Sequence, residues 1–264
     1  MIQCATCGAE CPADHKFCGR CGAKIEAPVA ETAPAAVDAA GKTLFFSPGQ
    51  KPGQAKLVLI RGDGMDGVSY MLGGTDHVIG RTEGAILFPE DMFLSPKHAN
   101  FAYDEGKLRL IDEGSANGIY VRIRRPMRAD SGGMFLVGEQ ILQVEASAPD
   151  LGPQPDAEGT YFYASPRRPS RIRLIQRLRG GDVGMVFRAR GDSLTIGREG
   201  NDVNFPDDPF ISGRHAQIEV AENGFVVTDL GSKNGTFVRI QDNYPLEHGD
   251  YVFCGQQLLR VEIT

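Results

Sequence analysis

The sequence predicts an all-β chain: two antiparallel β-sandwiches preceded by a small cysteine-rich module. Short alternating runs of apolar and polar residues recur about every ten residues with turn residues between them, and no helical period is visible. The second half repeats the pattern of the first half 117 positions later without a gap (Arg81 to Arg198), so one folding unit occurs twice. Five of the six cysteines lie in the first 21 residues.

The amino-acid composition limits the classes of function that this protein can have. The chain has 264 residues, of which 41% are hydrophobic, so it can build two cores of ordinary domain size. Its formal net charge of −6 counts against wholesale binding to nucleic acid or to an anionic membrane. No apolar run approaches the roughly 18 residues of a spanning helix, and the N-terminus does not have the pattern of a signal peptide. We therefore expect a cytoplasmic protein without a membrane partner.

Residues 1–24 carry two Cys-x-x-Cys-Gly turns, at Cys4, Cys7, Cys18 and Cys21. Two such turns direct four thiolates at one tetrahedral centre, and this double motif resembles a zinc ribbon. The resemblance implies one structural Zn²⁺, which would supply most of the folding energy of so short a module. A redox dithiol and an unstructured cysteine-rich tail are the alternatives, and ordinary loop positions are the favoured reading of Cys11 and His15. Cysteine clustering without a secretory signal favours a metal site over disulfides.

Two linkers are predicted from composition. Residues 25–55 are rich in alanine and proline and lack an apolar period at their start, and residues 146–170 are rich in proline. Each linker holds a threonine followed by aromatic or apolar residues, at Thr43 and Thr160. Each of these segments is either an added edge strand or an exposed site for phosphorylation.

The two repeats run from residue 56 to 145 and from residue 171 to 264. Their predicted strands correspond in pairs: 56–60 with 173–177, 107–112 with 224–229, and 140–144 with 257–261. The isolated Cys254 lies in an apolar strand, which predicts a buried small hydrophobic side chain.

The residues that recur are turn and ligand residues rather than core residues. Gly-Arg, Ser-x-x-His and Gly-Ser-x-Asn-Gly return in the same order with the same spacing, which gives the sets Arg81, Ser95, His98 and Asn117, and Arg198, Ser212, His215 and Asn234. This arrangement resembles the forkhead-associated (FHA) domain over almost the whole of both repeats. The resemblance implies a β-sandwich that binds phosphothreonine peptides through loops at one end.

The chemistry suits that implied role. A phosphate carries nearly two negative charges and three strong acceptors. Arg81 and Arg198 offer a permanently charged donor fork, and Ser95 and Ser212 offer hydroxyl protons. Taken singly, each residue also reads as a surface arginine or a turn residue; it is the joint pattern that favours a phosphopeptide site.

The resemblance further implies that Asn117 and Asn234 bond the backbone of the peptide. It also implies that His98 and His215 brace the loop through hydrogen bonds. Ser-x-x-His could indicate a nucleophile and its base, but no carboxylate has the fixed placement of a third member, so we predict no catalysis.

The two copies differ beside the asparagine. The preceding residue is Ala116 in the first copy and Lys233 in the second, which adds a cation to the second site only. After the serine, neither Pro96 nor Gly213 supplies the polar side chain often found there in the family. The first copy also has Ile119 where the second has the more typical Thr236.

Two basic stretches allow a different interpretation. Residues 122–128 carry four arginines, and residues 167–179 alternate arginine with apolar residues over part of their length. The alternation favours a half-exposed strand for the second stretch. We interpret both as solvated faces, the first with a preference for acidic residues flanking a bound peptide.

The sequence thus predicts a non-enzymatic signalling adaptor that reads threonine phosphorylation by Ser/Thr protein kinases. Its expected partners are threonine-phosphorylated proteins and the kinases themselves, with Thr43 or Thr160 as a possible self-ligand. The alternatives are a nucleic-acid-associated regulator acting through its zinc ribbon and a phosphate-independent interaction scaffold.

Overall fold

A computed structural model describes residues 2–3, 10–11, 55–62, 64–147, 152–165 and 169–264. The chain divides into two compact units, 1–49 and 50–264. In the first unit, β1 (Ile2–Gln3) pairs antiparallel with β2 (Glu10–Cys11). The predicted zinc ligands Cys4, Cys7, Cys18 and Cys21, most of the first linker and Thr43 lie outside the described residues.

Within the described residues, the second unit consists of strands with one short 3-10 turn at Arg179–Gly181, which agrees with the predicted all-β fold. The strands of the first repeat are β3 (Ala55–Ile60), β4 (Asp66–Leu72), β5 (Asp76–Gly80), β6 (Ile86–Leu87), β7 (Ala99–Asp104), β8 (Lys107–Asp112), β9 (Ile119–Arg122), β10 (Met127–Ala129), β11 (Met134–Val137) and β12 (Gln140–Ala146). Those of the second repeat are β13 (Ile172–Arg177), β14 (Val183–Arg188), β15 (Ser193–Gly197), β16 (Val203–Asn204), β17 (Ala216–Ala221), β18 (Gly224–Asp229), β19 (Thr236–Arg239), β20 (Asn243–Pro245), β21 (Tyr251–Cys254) and β22 (Gln257–Ile263).

The two repeats exchange their last three strands. One ten-stranded sheet runs in the order β14-β13-β12-β11-β19-β9-β21-β22-β3-β4, and two five-stranded sheets run β6-β5-β7-β8-β20 and β16-β15-β17-β18-β10. Strands β20 to β22 therefore complete the half that begins with β3, and β10 to β12 complete the half that contains β13 to β19. All pairings are antiparallel except β5 with β6 and β15 with β16.

The hydrophobic cores follow the exchange. One core packs Leu57, Phe101 and Leu110 of the first repeat against Val252 and Leu259 of the second. The other core packs residues 123–144 of the first repeat against residues 172–238 of the second. The predicted boundaries 56–145 and 171–264 therefore delimit the sequence repeats, whereas each packed half of this structure draws on both repeats.

The segment in which the chain passes from one half to the other is short. The buried Val121 belongs to one core, and Ile123, two residues later, belongs to the other. Between β9 and β10 the chain reads Ile123-Arg124-Arg125-Pro126, and a residue before proline is biased toward extended backbone. An extended connection carries β10 away from its own repeat, and a short connection of this kind favours exchange.

The remaining predictions concern the linker and single residues. Cys254 is fully buried in a core, as its apolar context predicts. Thr160 lies in a turn in which its backbone N–H donates to Asp156 Oδ1 at 2.7 Å, and Tyr161 makes one isolated bridge with Pro155. Residues 160–163 therefore do not form an added edge strand. No helix within the described residues is long and apolar enough to cross a membrane.

Candidate functional site

Three loops meet at one end of each half of the exchanged body. In the first site they carry Arg81, directly after β5, Ser95, before β7, and Asn117, before β9. The Arg81 backbone N–H donates to the Ser95 carbonyl at 3.0 Å, which ties the first two loops together. The structure therefore brings together the first set of residues that the sequence identified.

Hydrogen bonds orient the polar side chains of the first site. Ser95 Oγ accepts the backbone N–H of Ala116 at 3.0 Å, which leaves its own proton available to a ligand. Asn117 Nδ2 donates to the Phe93 carbonyl at 2.8 Å, which leaves its Oδ1 to accept from a ligand. Ala116 and Asn117 are exposed.

The second site repeats this geometry. Ser212 Oγ accepts the backbone N–H of Lys233 at 3.0 Å, and Asn234 Nδ2 donates to the Phe210 carbonyl at 2.8 Å. Lys233 is exposed next to Asn234. The backbone that holds the two sites is thus the same, and the Ala116 to Lys233 difference places a flexible cation at the second site alone.

The histidines hold the loops rather than activate the serines. His98 Nδ1 accepts the backbone N–H of Ser95 at 3.0 Å, and its Nε2 bonds the Gly118 carbonyl at 3.2 Å. His215 makes the same two contacts, to the Ser212 N–H at 3.1 Å and to the Gly235 carbonyl at 3.1 Å. An Nδ1 that accepts an amide proton fixes the neutral tautomer with the proton on Nε2. Neither ring is placed to take the proton of the serine hydroxyl.

Burial supports the same protonation state. Both histidine side chains are fully buried, and desolvation lowers the pKa of His98 and of His215, although the bonds to the glycine carbonyls oppose that shift. The rings are therefore neutral near pH 7, as the bond to the serine amide requires.

The two arginines are held differently. Arg198 Nη2 donates to the Ile211 carbonyl at 2.7 Å and to the Pro209 carbonyl at 3.2 Å. Arg81 Nη1 instead lies 3.9 Å from the sulfur of Met92, and its buried Nε has no hydrogen-bond partner among the described residues. The sequence predicted two equivalent ligand-facing arginines, but Arg198 is anchored on its own serine loop and Arg81 is held loosely.

A buried aspartate in each half ties the serine loop to the turn supplied by the other repeat. Asp91 is 3% exposed; its Oδ1 accepts the Phe93 N–H at 3.0 Å, and its Oδ2 accepts the Gln256 N–H at 2.8 Å. Phe93 in turn offers its carbonyl to Asn117. The first site therefore rests on a turn of the second repeat.

The second site rests on a turn of the first repeat in the same way. Asp208 is 5% exposed and accepts the Phe210 N–H at 2.9 Å and the Glu139 N–H at 2.9 Å. Sequence reasoning missed this pair of aspartates. The available signal was their own spacing, since Asp91 and Asp208 are 117 positions apart, as are Gly138 and Gly255 of the two turns.

The charge around the two sites also differs. At the first site Lys97 forms an ion pair with Glu113, with Nζ and Oε2 2.7 Å apart. The corresponding residues of the second repeat are Arg214 and Leu230, so no carboxylate faces that arginine from the matching position. Arg214 is exposed and forms no ion pair within the described part of the chain.

Near the second site, the carboxylate of Asp229 is internally satisfied. It accepts hydroxyl bonds from Ser232 at 2.6 Å and from Thr236 at 2.7 Å. Burial alone would raise the pKa of Asp229, but these bonds outweigh it and lower that pKa below its ordinary value. The aspartate therefore shapes the loop and stays ionised.

An arginine fork, a serine hydroxyl and an asparagine amide, held on three loops by backbone bonds, form a donor-rich site for an anion attached to a peptide. Comparison with known proteins identifies the class of module. The FHA domain model matches residues 77–138 and 194–255, one stretch in each repeat.

Particular relatives are regulatory proteins by name. An oxoglutarate dehydrogenase inhibitor of Corynebacterium efficiens is 33% identical over 90 residues, which cover 33% of this chain and 63% of that protein. The glycogen accumulation regulator GarA of Mycolicibacterium smegmatis is 34% identical over 90 residues, 33% of this chain and 57% of that protein. The match thus spans about six-tenths of each relative.

A solved structure described as a structural and functional analysis of phosphothreonine-dependent FHA domain interactions is 28% identical. It covers 31% of this chain and 86% of that chain, with a TM-score of 0.20.

Proposed function

We propose that this protein is a phosphothreonine-peptide-binding adaptor that acts downstream of Ser/Thr protein kinases and has no catalytic activity of its own. The observation that carries the proposal is the serine in each site. Its Oγ accepts one backbone amide from the asparagine loop and donates to no acceptor among the described residues, so its proton is available to a ligand. A phosphate oxygen is such an acceptor, and an arginine and an asparagine lie on the adjoining loops.

Phosphopeptides identical except for the phosphate test the proposal on the full chain. We expect phosphothreonine peptides selected from an oriented library to bind by calorimetric titration, and their unphosphorylated forms to fail. Phosphoserine versions serve as matched controls for charge. Equal binding of phosphorylated and unphosphorylated peptides would favour the phosphate-independent scaffold instead.

The proposed partners are threonine-phosphorylated proteins and the kinases that produce them. The names of the relatives, an inhibitor of a dehydrogenase and a regulator of glycogen accumulation, support a regulatory role that works through binding. A self-ligand is also proposed at Thr160, which lies in an exposed turn, or at Thr43. A tethered ligand has an effective concentration near millimolar, so it would occupy even a weak site. Absence of phosphate at both threonines after kinase treatment, measured by mass spectrometry, would remove the self-ligand.

The N-terminal module is proposed as a zinc ribbon in a cytoplasmic protein. Four thiolates in two Cys-x-x-Cys-Gly turns, at Cys4, Cys7, Cys18 and Cys21, support one structural Zn²⁺. Metal analysis of protein purified without chelator should give one zinc per chain, and a Cys4→Ser, Cys21→Ser variant should give none. A metal-free parent protein would overturn the proposal.

A further inference from the structure

The exchange brings a segment of the first repeat to the second site. Strand β9 runs antiparallel to β19, with Arg122 opposite Phe237, so the end of β9 lies beside the beginning of β19. The Asn234-Gly235 turn immediately precedes β19, and the side chain of Arg122 lies directly against Gly235, where an added Cβ would collide with it. We call residues 122–126 the crossover segment.

The crossover segment forms one wall of a cleft. The cleft has a volume of about 350 Å³, and its lining includes Arg122, Arg124, Arg125, Asp229 and Gly231. Asp229 ends β18, and Gly231 lies in the loop that leads to Asn234. The cleft therefore joins three guanidinium groups to the asparagine loop of the second site.

These three arginines differ in whether another group already interacts with their charge. Arg122 lies over the ring of Tyr251, 5.6 Å from its centre, and Arg124 pairs with Asp250 at 3.2 Å. Arg125 is exposed and makes no ion pair with any described residue. Asp229, the acidic group in the lining, is already held by two hydroxyl groups. These hydroxyl bonds leave Asp229 ionised, so the carboxylates of Asp229 and Asp250 offset two of the three guanidinium charges. One positive charge remains in the cleft, and Arg125 is the arginine without an ion pair among the described residues.

The first site has the opposite charge at the matching position. Gln241 and Asp242 of the second repeat correspond to Arg124 and Arg125. Asp242 lies against the loop of the first site, because its carbonyl accepts the Asp112 N–H at 3.2 Å. The exchange thus gives one site two arginines and the other site a glutamine and an aspartate.

We propose that Arg124 and Arg125 recognise acidic residues that flank the phosphothreonine in ligands of the second site. Each repeat then supplies a specificity element to the site of the other repeat. This inference rests on the proposed function, since it assumes that the second site binds phosphopeptides. If each sandwich were formed by one repeat alone, the crossover segment would follow the end of β9 that is distant from Asn117. It would then not reach the site that contains Asn117.

Two phosphothreonine peptides test this inference, one with Asp and Glu beside the phosphothreonine and one with Asn and Gln in their place. Both peptides are titrated into the full chain carrying Arg81→Ala. This substitution disables the first site, so the titration measures binding at the second site. The parent should prefer the acidic peptide by about fivefold, the size of one or two exposed ion pairs. Arg125→Gln should reduce this preference, and Arg124→Gln with Arg125→Asp should remove it, while affinity for the neutral peptide changes less than about twofold.

Matched variants separate local recognition from net charge. Arg188→Gln with Arg190→Asp makes the same charge change outside the lining of the cleft and should keep the acidic preference. Gln241→Arg with Asp242→Arg, in a chain carrying Arg198→Ala, should create that preference at the first site. A preference that survives Arg124→Gln, Arg125→Asp, or that falls equally in the distant variant, overturns the inference. If neither phosphopeptide binds the chain that carries none of these substitutions, the proposed function itself is wrong.

Discussion

The two sites share a backbone framework and differ in the charges placed on it. Both have a serine that accepts an amide, an asparagine held by a carbonyl and a neutral histidine under the loop. Around the first site a lysine is paired with Glu113 and Ala116 adds no charge. Around the second site Lys233, Arg214 and Arg125 are exposed cations. A duplicated site can therefore keep its geometry while its two copies diverge in the ligands that they favour.

The largest expected effect is the loss of an arginine. Arg198→Ala should lower phosphopeptide affinity at the second site by on the order of 100-fold, because it removes a charged donor fork that contributes more than one hydrogen bond. Arg81→Ala should do the same at the first site only. Titration of each single variant measures the site that remains, and Arg188→Ala is the control. Undiminished binding by Arg198→Ala at the second site would refute the site assignment.

The next largest effect is a loss of affinity at the site of one repeat caused by a substitution in the other repeat. Gly255 has a φ of +58°, and a Cβ there would lie 2.7 Å from Asp91 Oδ2. Gly255→Val should therefore weaken the first site by roughly thirtyfold, the effect of losing about 2 kcal/mol of buried hydrogen bonding.

The matched variant is Gly138→Val, which should weaken the second site instead, because its Cβ would lie 2.7 Å from Asp208 Oδ2. Each variant should leave the other site unchanged in the same titrations. If each substitution instead weakened the site of its own repeat, the strands would not be exchanged in solution.

A smaller effect concerns the one cation beside an asparagine. Lys233→Ala should weaken the second site by about tenfold, because a charged hydrogen bond contributes about 1.5–3 kcal/mol and an exposed one lies at the low end. The reciprocal Ala116→Lys should strengthen the first site. Calorimetry with one neutral-flanked phosphopeptide reports both changes. If Ala116→Lys had no effect, Lys233 would not be what separates the affinities of the two sites.

The last effect concerns stability rather than affinity, and the two sites share it. Since the pKa of both buried histidines is lowered in the fold, the unfolded state binds protons first as the pH falls through about 6.5. The free energy of unfolding should be constant with respect to these groups above that pH. Below it, stability should fall by up to about 1.4 kcal/mol per pH unit for each histidine.

Urea unfolding at pH 7.5 and pH 5.5 without ligand measures this loss. His98→Gln and His215→Gln should each flatten the pH dependence to a similar extent. A pH dependence that both variants leave unchanged would mean that other groups cause it.

The sequence predicted the strands because alternation at a period of two marks both the strand and its buried face. The runs 107–112 and 224–229 coincide with β8 and β18. It did not predict the exchange, and the reason is the repeat itself. Strands β10 to β12 and β20 to β22 carry matching patterns, so either set completes either half, and local patterning does not distinguish them.

Some residues of the candidate sites could likewise be predicted from the sequence, and others could not. The residues Arg81, Ser95 and Asn117 could be recognised because their spacing recurs in the second repeat. Asp91 and Asp208 recur at the same spacing, but their bracing role and the position of Arg125 could not be predicted, because they depend on contacts between residues more than 65 positions apart across the exchange. An arginine that the sequence places on a solvated face thus lines a cleft at the start of the asparagine loop of the other repeat.

The pairing of β3 with β22 sets the order in which the chain can fold. Ala55 lies opposite Ile263, so the first half joins nearly the first and last residues of the second unit. During synthesis the strands of the second half are complete once β19 has emerged, whereas β3 to β9 must wait for β20 to β22. Contacts of such sequence separation form slowly. The half that is begun first is therefore finished last, and its apolar faces remain uncovered for longer than those of its twin.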